Sequence, residues 1–429
     1  MVAGKNVCLR RLSRGDRALE VRFNRFLRHG KVTVERIIDS WSGSTVAAVA
    51  DRHVLAIQDT SEIHFNTTSQ RRRGLGEIGK GNQHGVLLHP LLAVDADNGE
   101  CLGLLSGEVW TREGRRTVSH DSRDLSDKES QRWITTAVTA KPRLAGAAMV
   151  TLLGDRESDI FALYTKAAEQ DFHVIARSMH DRKQADETSL YATIDAMAAV
   201  QRRTIKLPAR AQRPSREADL ELRFGVIELA RPQNKFLRNL PKSLRLAVVD
   251  AREINAAANV EPLHWRLLTS HEVASADDAW QIVGWYKQRW IIEQFFRVLK
   301  TQGFKLEDSQ IGTADRLLKL VAVAAKAAVI TIQLLQARNG GRQSVSKTFN
   351  VEKIATLTAL NHQLEARTRR LKNPHPSDTL AWAAWIIGRL GGWDGYPSSK
   401  PPGPITFKNG LEYFNAVAAG WSLRDMCMH

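Results

Sequence analysis

Two short apolar runs, each cut off by an acid, constrain this chain more than any other feature. Val54-Leu55-Ala56-Ile57 is unbroken and leads into Gln58-Asp59-Thr60-Ser61. The run from Ala147 to Leu153 leads into Gly154-Asp155-Arg156-Glu157-Ser158-Asp159. Continuous apolar runs of this length read as strands buried in a sheet. One acid at a strand end is ordinary turn or cap chemistry, but two strands ending the same way point to a shared purpose. A helix is expected from Ile160 to Gln170, with Asp159 near its start.

The rest of the first half fits the same sheet. Val86 to Val94 reads as a strand, and Pro90 excludes helix there. Gly99 separates it from Cys101-Leu102-Gly103-Leu104-Leu105, its expected antiparallel neighbour, so three early strands form a meander. The glycine-rich stretch Gly74 to Gly81 matches G-x-G-x-x-G, and G-x-x-x-x-G-K up to the last position. It follows Arg71-Arg72-Arg73 and precedes a strand, whereas nucleotide-binding loops need a strand before and a helix after. A basic, hairpin-like loop is expected instead.

From Phe172 to about Leu268 the texture becomes short alternating segments with many Arg and Lys, which predicts a β-rich stretch with one basic surface. Trp265 alternates within the last of these and is placed in the core. Helices are expected over 275–303, 313–338 and 377–390. The run Leu317 to Leu335 carries Lys319 and Lys326, so a buried core helix fits it better than a membrane span.

Within the first of these helices, Trp285 to Lys300 has no Pro or Gly. Ile291, Ile292, Phe295, Val298 and Leu299 form one buried stripe. Tyr286, Arg289, Glu293, Arg297 and Lys300 share a second face. A carboxylate there can hold a divalent cation, and the Arg and Lys beside it can hold phosphate oxygens. The same spacing also suits a solvated face laced with surface ion pairs.

Composition narrows the partner. Lys plus Arg total 62 against 46 Asp plus Glu, a net charge of +16 with pI near 10. Such an excess favours a polyanion, nucleic acid ahead of a membrane surface. Arg10, Arg11, Arg14, Arg17, Arg22, Arg25 and Arg28 crowd the first 45 residues, where helices suited to phosphate contact are expected. The 3 cysteines lie far apart, and the 13 histidines show no H-E-x-x-H spacing, so neither a disulfide scaffold nor a zinc site is indicated. The start, MVAGKNVCLRRLSRGDR, has no apolar leader core, and a reducing cytoplasm is expected.

Asp59, Asp155 and Glu293 make a set of three carboxylates. Gathered together they would repel, with raised pKa values, unless a cation sat among them. Two Mg²⁺ ions about 3.5–4 Å apart would neutralise them and clamp an in-line phosphoryl transfer. Hard oxygen ligands favour Mg²⁺ or Mn²⁺ over zinc.

The chain resembles the bacterial insertion-sequence transposases of the D-D-E type, in the cut-and-paste subgroup with a Y-R-E-K signature and hairpin intermediates. Tyr286, Arg289, Glu293 and Lys300 meet Y-x2-R-x3-E-x6-K. Leu55-Ala56-Ile57-Gln58-Asp59-Thr60 meets the first-acid block, and Asp155-Arg156-Glu157-Ser158-Asp159 meets the second. Gly103-Leu104-Leu105, Asp127-Lys128-Glu129-Ser130, Trp265 to Ser270 and Gly388 to Gly392 also look like the family, over about residues 50–415.

The resemblance implies a mixed α/β fold: a ribonuclease-H-like core with a β-rich insertion, flanked by helical regions at both ends. The boundaries expected are a basic DNA-contacting region over 1–45, core over 46–171, insertion over 172–268, the helical second part of the core over 269–340, and a dimerisation and DNA-contact region over 341–429. It implies that Asp59, Asp155 and Glu293 bind two Mg²⁺ ions, with Mn²⁺ able to substitute. Tyr286, Arg289 and Lys300 would grip DNA phosphate, Trp265 would stack a flipped base, and Arg297 and Arg177 would line the DNA path. The partners implied are double-stranded DNA and a second copy of the chain, with no membrane. With 58 residues ahead of Asp59, either end recognition is expected to be reduced or the start to be truncated. The rival readings are a DNA-binding protein without chemistry, such as an inhibitor of transposition, and a nuclease of the same core that cuts without strand transfer.

Overall fold

The computed structural model describes residues 1, 6–13, 15–65, 74–79, 83–112, 130–207, 215–234, 237–257, 260–302, 304–365, 371–396 and 398–426. Arg14, Arg71 to Arg73, Gly81 and Asp127 to Glu129, all singled out above, lie outside these residues.

Eleven strands join in one sheet. They are β1 His53–Gln58, β2 Ser61–Phe65, β3 Gly76–Ile78, β4 Gln83–Asp95, β5 Cys101–Trp110, β6 Met149–Gly154, β7 Phe172–Arg177, β8 Gln201–Leu207, β9 Arg216–Ala230, β10 Ser243–Ile254 and β11 His264–Thr269. At the centre the order is β5-β4-β1-β6-β7. The first three are antiparallel, and β6 and β7 then run parallel to β1. This is the arrangement of a ribonuclease-H-like core. The apolar runs of β1 and β6 follow from it, because both strands are paired on each edge and covered on each face.

The two faces are filled by different helices. Leu55, Ile57 and Leu153 pack towards α8 Ala276–Gln288, α9 Trp290–Arg297 and α10 Ala314–Ala337. Val54, Ala56, Val150 and Leu152 pack towards α5 Gln131–Leu144 and α6 Phe161–Ala167. Helix α10 is long and apolar enough to cross a membrane, yet 78% of its most apolar window is buried inside the protein.

The β-rich stretch prolongs the same sheet. β7, which opens the segment 172–268, pairs parallel with β6, so it is the fifth strand of the core. β11 then pairs antiparallel with β7, and β10, β9 and β8 follow outward. The change of texture at Phe172 marks a change in how much of the sheet is covered, and pairing continues across it. One further helix, α7 Leu190–Ala196, lies in this stretch.

Of the N-terminal helices α1 Leu9–Leu12, α2 Arg17–Arg28, α3 Val34–Asp39 and α4 Gly43–Ala48, α2 and α3 dock on α10, α1 packs on α2, and α4 packs on β5. Trp41 is fully buried, and its indole N–H donates to the Ala322 carbonyl at 3.0 Å. Arg22, Arg25 and Arg28 stay exposed. At the other end α11 Val351–Leu364, α12 Leu380–Leu390 and α13 Pro404–Met426 form a separate apolar cluster with the end of α10. Helices α12 and α13 cross closely because Gly410 has no side chain; a Cβ there would stand 1.8 Å from the Ile387 carbonyl oxygen.

Candidate active site

Parallel pairing of β1 with β6 decides where two of the acids stand. Ile57 is in register with Leu153, so Asp59 and Asp155 both follow two residues later, at neighbouring strand ends. The Asp155 carboxylate accepts from the Glu157 N–H at 2.9 Å and so caps the turn Arg156–Ser158. Asp59 accepts from the Thr60 N–H at 2.8 Å.

Glu293 arrives from the helices packed against this end of the sheet. The stretch expected as one helix is divided. α8 ends at Gln288, the Arg289 N–H reaches back three residues to the Tyr286 carbonyl, and α9 begins at Trp290. A π-helical turn, Val298–Gln302, follows α9 and contains Lys300. Tight and wide turns of this kind reorient side chains along a helix and are common at functional sites. The stripe of Ile291, Ile292, Phe295, Val298 and Leu299 is buried, anchoring the segment.

Arg289 joins the elements. Its guanidinium donates to Asp59 Oδ2 at 3.1 Å and to Glu293 Oε1 at 3.1 Å, across 230 residues in the first case. Arg289 and Asp59 are only 16% and 17% exposed, while Glu293 is 36% exposed, so the pair lies away from bulk water and the glutamate at the rim. Asp59 is nonetheless pushed up to about 7. Burial is the main cause, the negative charge of Asp155 comes next, and Arg289 offsets only part of this. The strand ends are therefore short of positive charge.

Around the acids, Tyr286 is buried and its hydroxyl pKa is raised by that burial, against the pull of Arg289 and Arg177. The Trp265 ring meets Tyr286 edge-on at 6.0 Å between centroids. Trp265 is half-buried against the core, so one part packs and another faces outward. Arg177 Nη2 donates to the His264 carbonyl at 2.7 Å, tying β7 to the strand that carries Trp265. Arg297 is exposed at the end of α9. Lys300 is half-buried, which lowers its pKa, and the acids acting on it are Glu307 and Glu62.

Some contributors to this site carried no signal in the sequence. His89, fully buried on β4, contacts Thr60 Oγ1 at 2.8 Å through Nδ1 and Gln58 Oε1 at 3.2 Å through Nε2. Gln58 Nε2 in turn donates to the Trp133 carbonyl at 3.2 Å. This buried chain holds both residues flanking Asp59. A histidine inside an apolar run looks like any core residue until its partners are known.

The available donors are all carboxylate oxygens, the set that suits Mg²⁺ or Mn²⁺. Among the described residues no three His, Cys, Asp or Glu side chains converge tightly enough to hold an ion as they stand. Arg289 lies between Asp59 and Glu293 and supplies the positive charge there. The deficit at the two aspartates makes the donors a chemical fit for a divalent cation.

Residues 124–330 match the family model described as the transposase DDE domain. That span holds Asp155, Arg177, Trp265, Tyr286, Arg289, Glu293, Arg297 and Lys300, while Asp59 precedes it. Among solved structures, the piggyBac transposase synaptic complex with hairpin DNA is similar with a TM-score of 0.36 and 8% identity. The similarity covers 88% of this chain and 54% of that one, so the chain spans about half the length of that protein. The likeness is too distant to carry anything from that transposase to this chain.

Proposed function

We propose that this chain is a DNA transposase that cleaves the ends of an insertion sequence, passes through a DNA hairpin, and joins the freed ends to target DNA. The observation that carries the reading is the Arg289 fork between Asp59 and Glu293, with Asp155 at the adjoining strand end. Together with the match to the transposase DDE domain, it supports a shared role for acids far apart in sequence.

In this reading Asp59, Asp155 and Glu293 hold divalent metal, Mg²⁺ or Mn²⁺, which supplies charge neutralisation and in-line phosphoryl-transfer chemistry when bound. Arg289 keeps the acids in place and presents its remaining N–H groups to a DNA phosphate. Tyr286 and Arg177 border the same phosphate path, and Arg297 and Lys300 extend it along the helix. The half-buried Trp265 offers a face to a base turned out of the duplex. Water makes the first cut, and the resulting 3′-OH attacks the opposite strand. The reaction takes place in the cytoplasm, with two copies of the chain pairing the two ends.

The test is nicking of a labelled duplex bearing the element's terminal repeat. Glu293→Gln abolishes the nick and leaves duplex binding intact. Nicking at the wild-type rate by this variant would overturn the assignment.

A further inference from the structure

A concavity lies beyond the matched span, between α12 and the Pro/Gly-rich segment that follows it. Its volume is about 280 Å³, close to the lower end of the roughly 300–1,000 Å³ of small-ligand sites, which leaves room for one planar ring system. Trp385, Trp393 and Tyr396 supply aromatic walls, and Arg338, Lys372 and His375 supply nitrogen donors. No Asp or Glu is among the described residues that line it.

Each wall is held differently. Trp385 is buried within α12, and the Arg389 guanidinium lies 5.4 Å over its ring. Arg389 also donates to the Asp394 carbonyl at 2.6 Å, securing the loop that brings Trp393 and Tyr396 round. Arg338 Nη1 donates to the Pro402 carbonyl at 2.8 Å and pins the far wall to the end of α10. Tyr396 is 42% exposed, so it forms the rim.

Flat aromatic faces with Arg and Lys, and no carboxylate, select an anion that carries an aromatic ring. We propose that this pocket binds one unpaired nucleotide of DNA, with its base against Trp393 and Tyr396 and its phosphate towards Arg338 and Lys372. The assignment of DNA rather than a free nucleotide rests on the transposase reading. A strand opened next to a cleaved end would supply such a nucleotide.

The experiment uses the full chain and a single-stranded oligonucleotide carrying 5-iododeoxyuridine, which crosslinks to stacked aromatic rings on irradiation. Adducts are mapped by mass spectrometry, and affinities for the oligonucleotide, for dAMP and for a blunt duplex are measured by anisotropy or competition. Adducts on Trp393 or Tyr396 are expected. Tyr396→Ala and Lys372→Ala, both at exposed positions, should each weaken single-strand binding, the former on the order of 5- to 100-fold as for loss of one stacked base. Duplex binding and terminal nicking should be unchanged. Adducts confined to Trp265 and Tyr286, or an equal loss for duplex and single strand, would overturn the pocket. Affinity for dAMP equal to that for the oligonucleotide would overturn the placement of DNA. Wild-type nicking without adducts would remove this inference and leave the transposase reading, whereas adducts without nicking would do the reverse.

Discussion

Replacing the buried acid Asp59 with asparagine should make the fold more stable, most of all at high pH. The carboxyl is raised from 3.8 to about 7 by burial and by Asp155. At about 1.36 kcal/mol per pKa unit, keeping it ionised in the fold costs at most about 4 kcal/mol above pH 7. With its pKa raised, the folded state binds a proton that the unfolded chain has lost between about pH 4 and 7. The cost is thus absent below the lower value, grows through that window, and is complete above the upper one. Asn retains a side-chain oxygen for the Arg289 N–H, and the attraction of that cation for the carboxylate is already contained in the net shift. A gain of up to about 4 kcal/mol is therefore expected for Asp59→Asn at pH 8.5, with less than half of that at pH 5. Urea denaturation of both proteins in EDTA at the two pH values gives the double difference, which cancels every other titrating group. A loss of the same size at both pH values would refute the reasoning, because Asp59 would then be ionised in the fold at no cost. A stability gain coupled to lost nicking is what a strained functional acid predicts.

Other outcomes follow from the same structure. His89 is held neutral by complete burial, its pKa lowered to about 3. The unfolded chain takes up a proton below about pH 6.5 that the fold refuses, so stability falls by about 1.4 kcal/mol per pH unit through that window. His89→Gln should flatten this part of the urea-midpoint profile. Trp41→Ala should cost about 3–5 kcal/mol through the cavity left at a fully buried indole, and trypsin should then release the Arg-rich N-terminal helices from α10 at lower denaturant. In the terminal-repeat assay, Trp265→Ala and Lys300→Ala should reduce the hairpin product more than the first nick. Equal loss at both steps would remove the flipped-base role.

Much of the architecture can be read from local pattern. Val54 to Ile57 and Ala147 to Leu153 announce buried strands because a strand paired on both edges and covered on both faces has few polar positions to offer. The stripe of Ile291, Phe295 and Leu299 announces a helix against the core for a related reason, its period matching one turn. Asp59, Asp155 and Glu293 stand out as breaks in apolar or helical context. Each of these signals lies within a window of a few residues.

What tertiary structure alone decided is the meeting of those windows. Pairing of β1 with β6 sets Asp59 beside Asp155, and Arg289 reaches Asp59 over 230 residues of chain. No periodicity encodes that approach, since it depends on how sheet and helices pack as wholes. The same holds for β7, which differs in texture from β6 yet pairs with it, and for Lys300, which a π-helical turn sets against Glu307 and Glu62. His89 and the Trp393 pocket were invisible for the converse reason: residues that look like core filling acquire chemistry only from partners brought in by distant segments. Local burial is written in the order of residues, while the electrostatics of this site comes from contacts that only the completed fold creates.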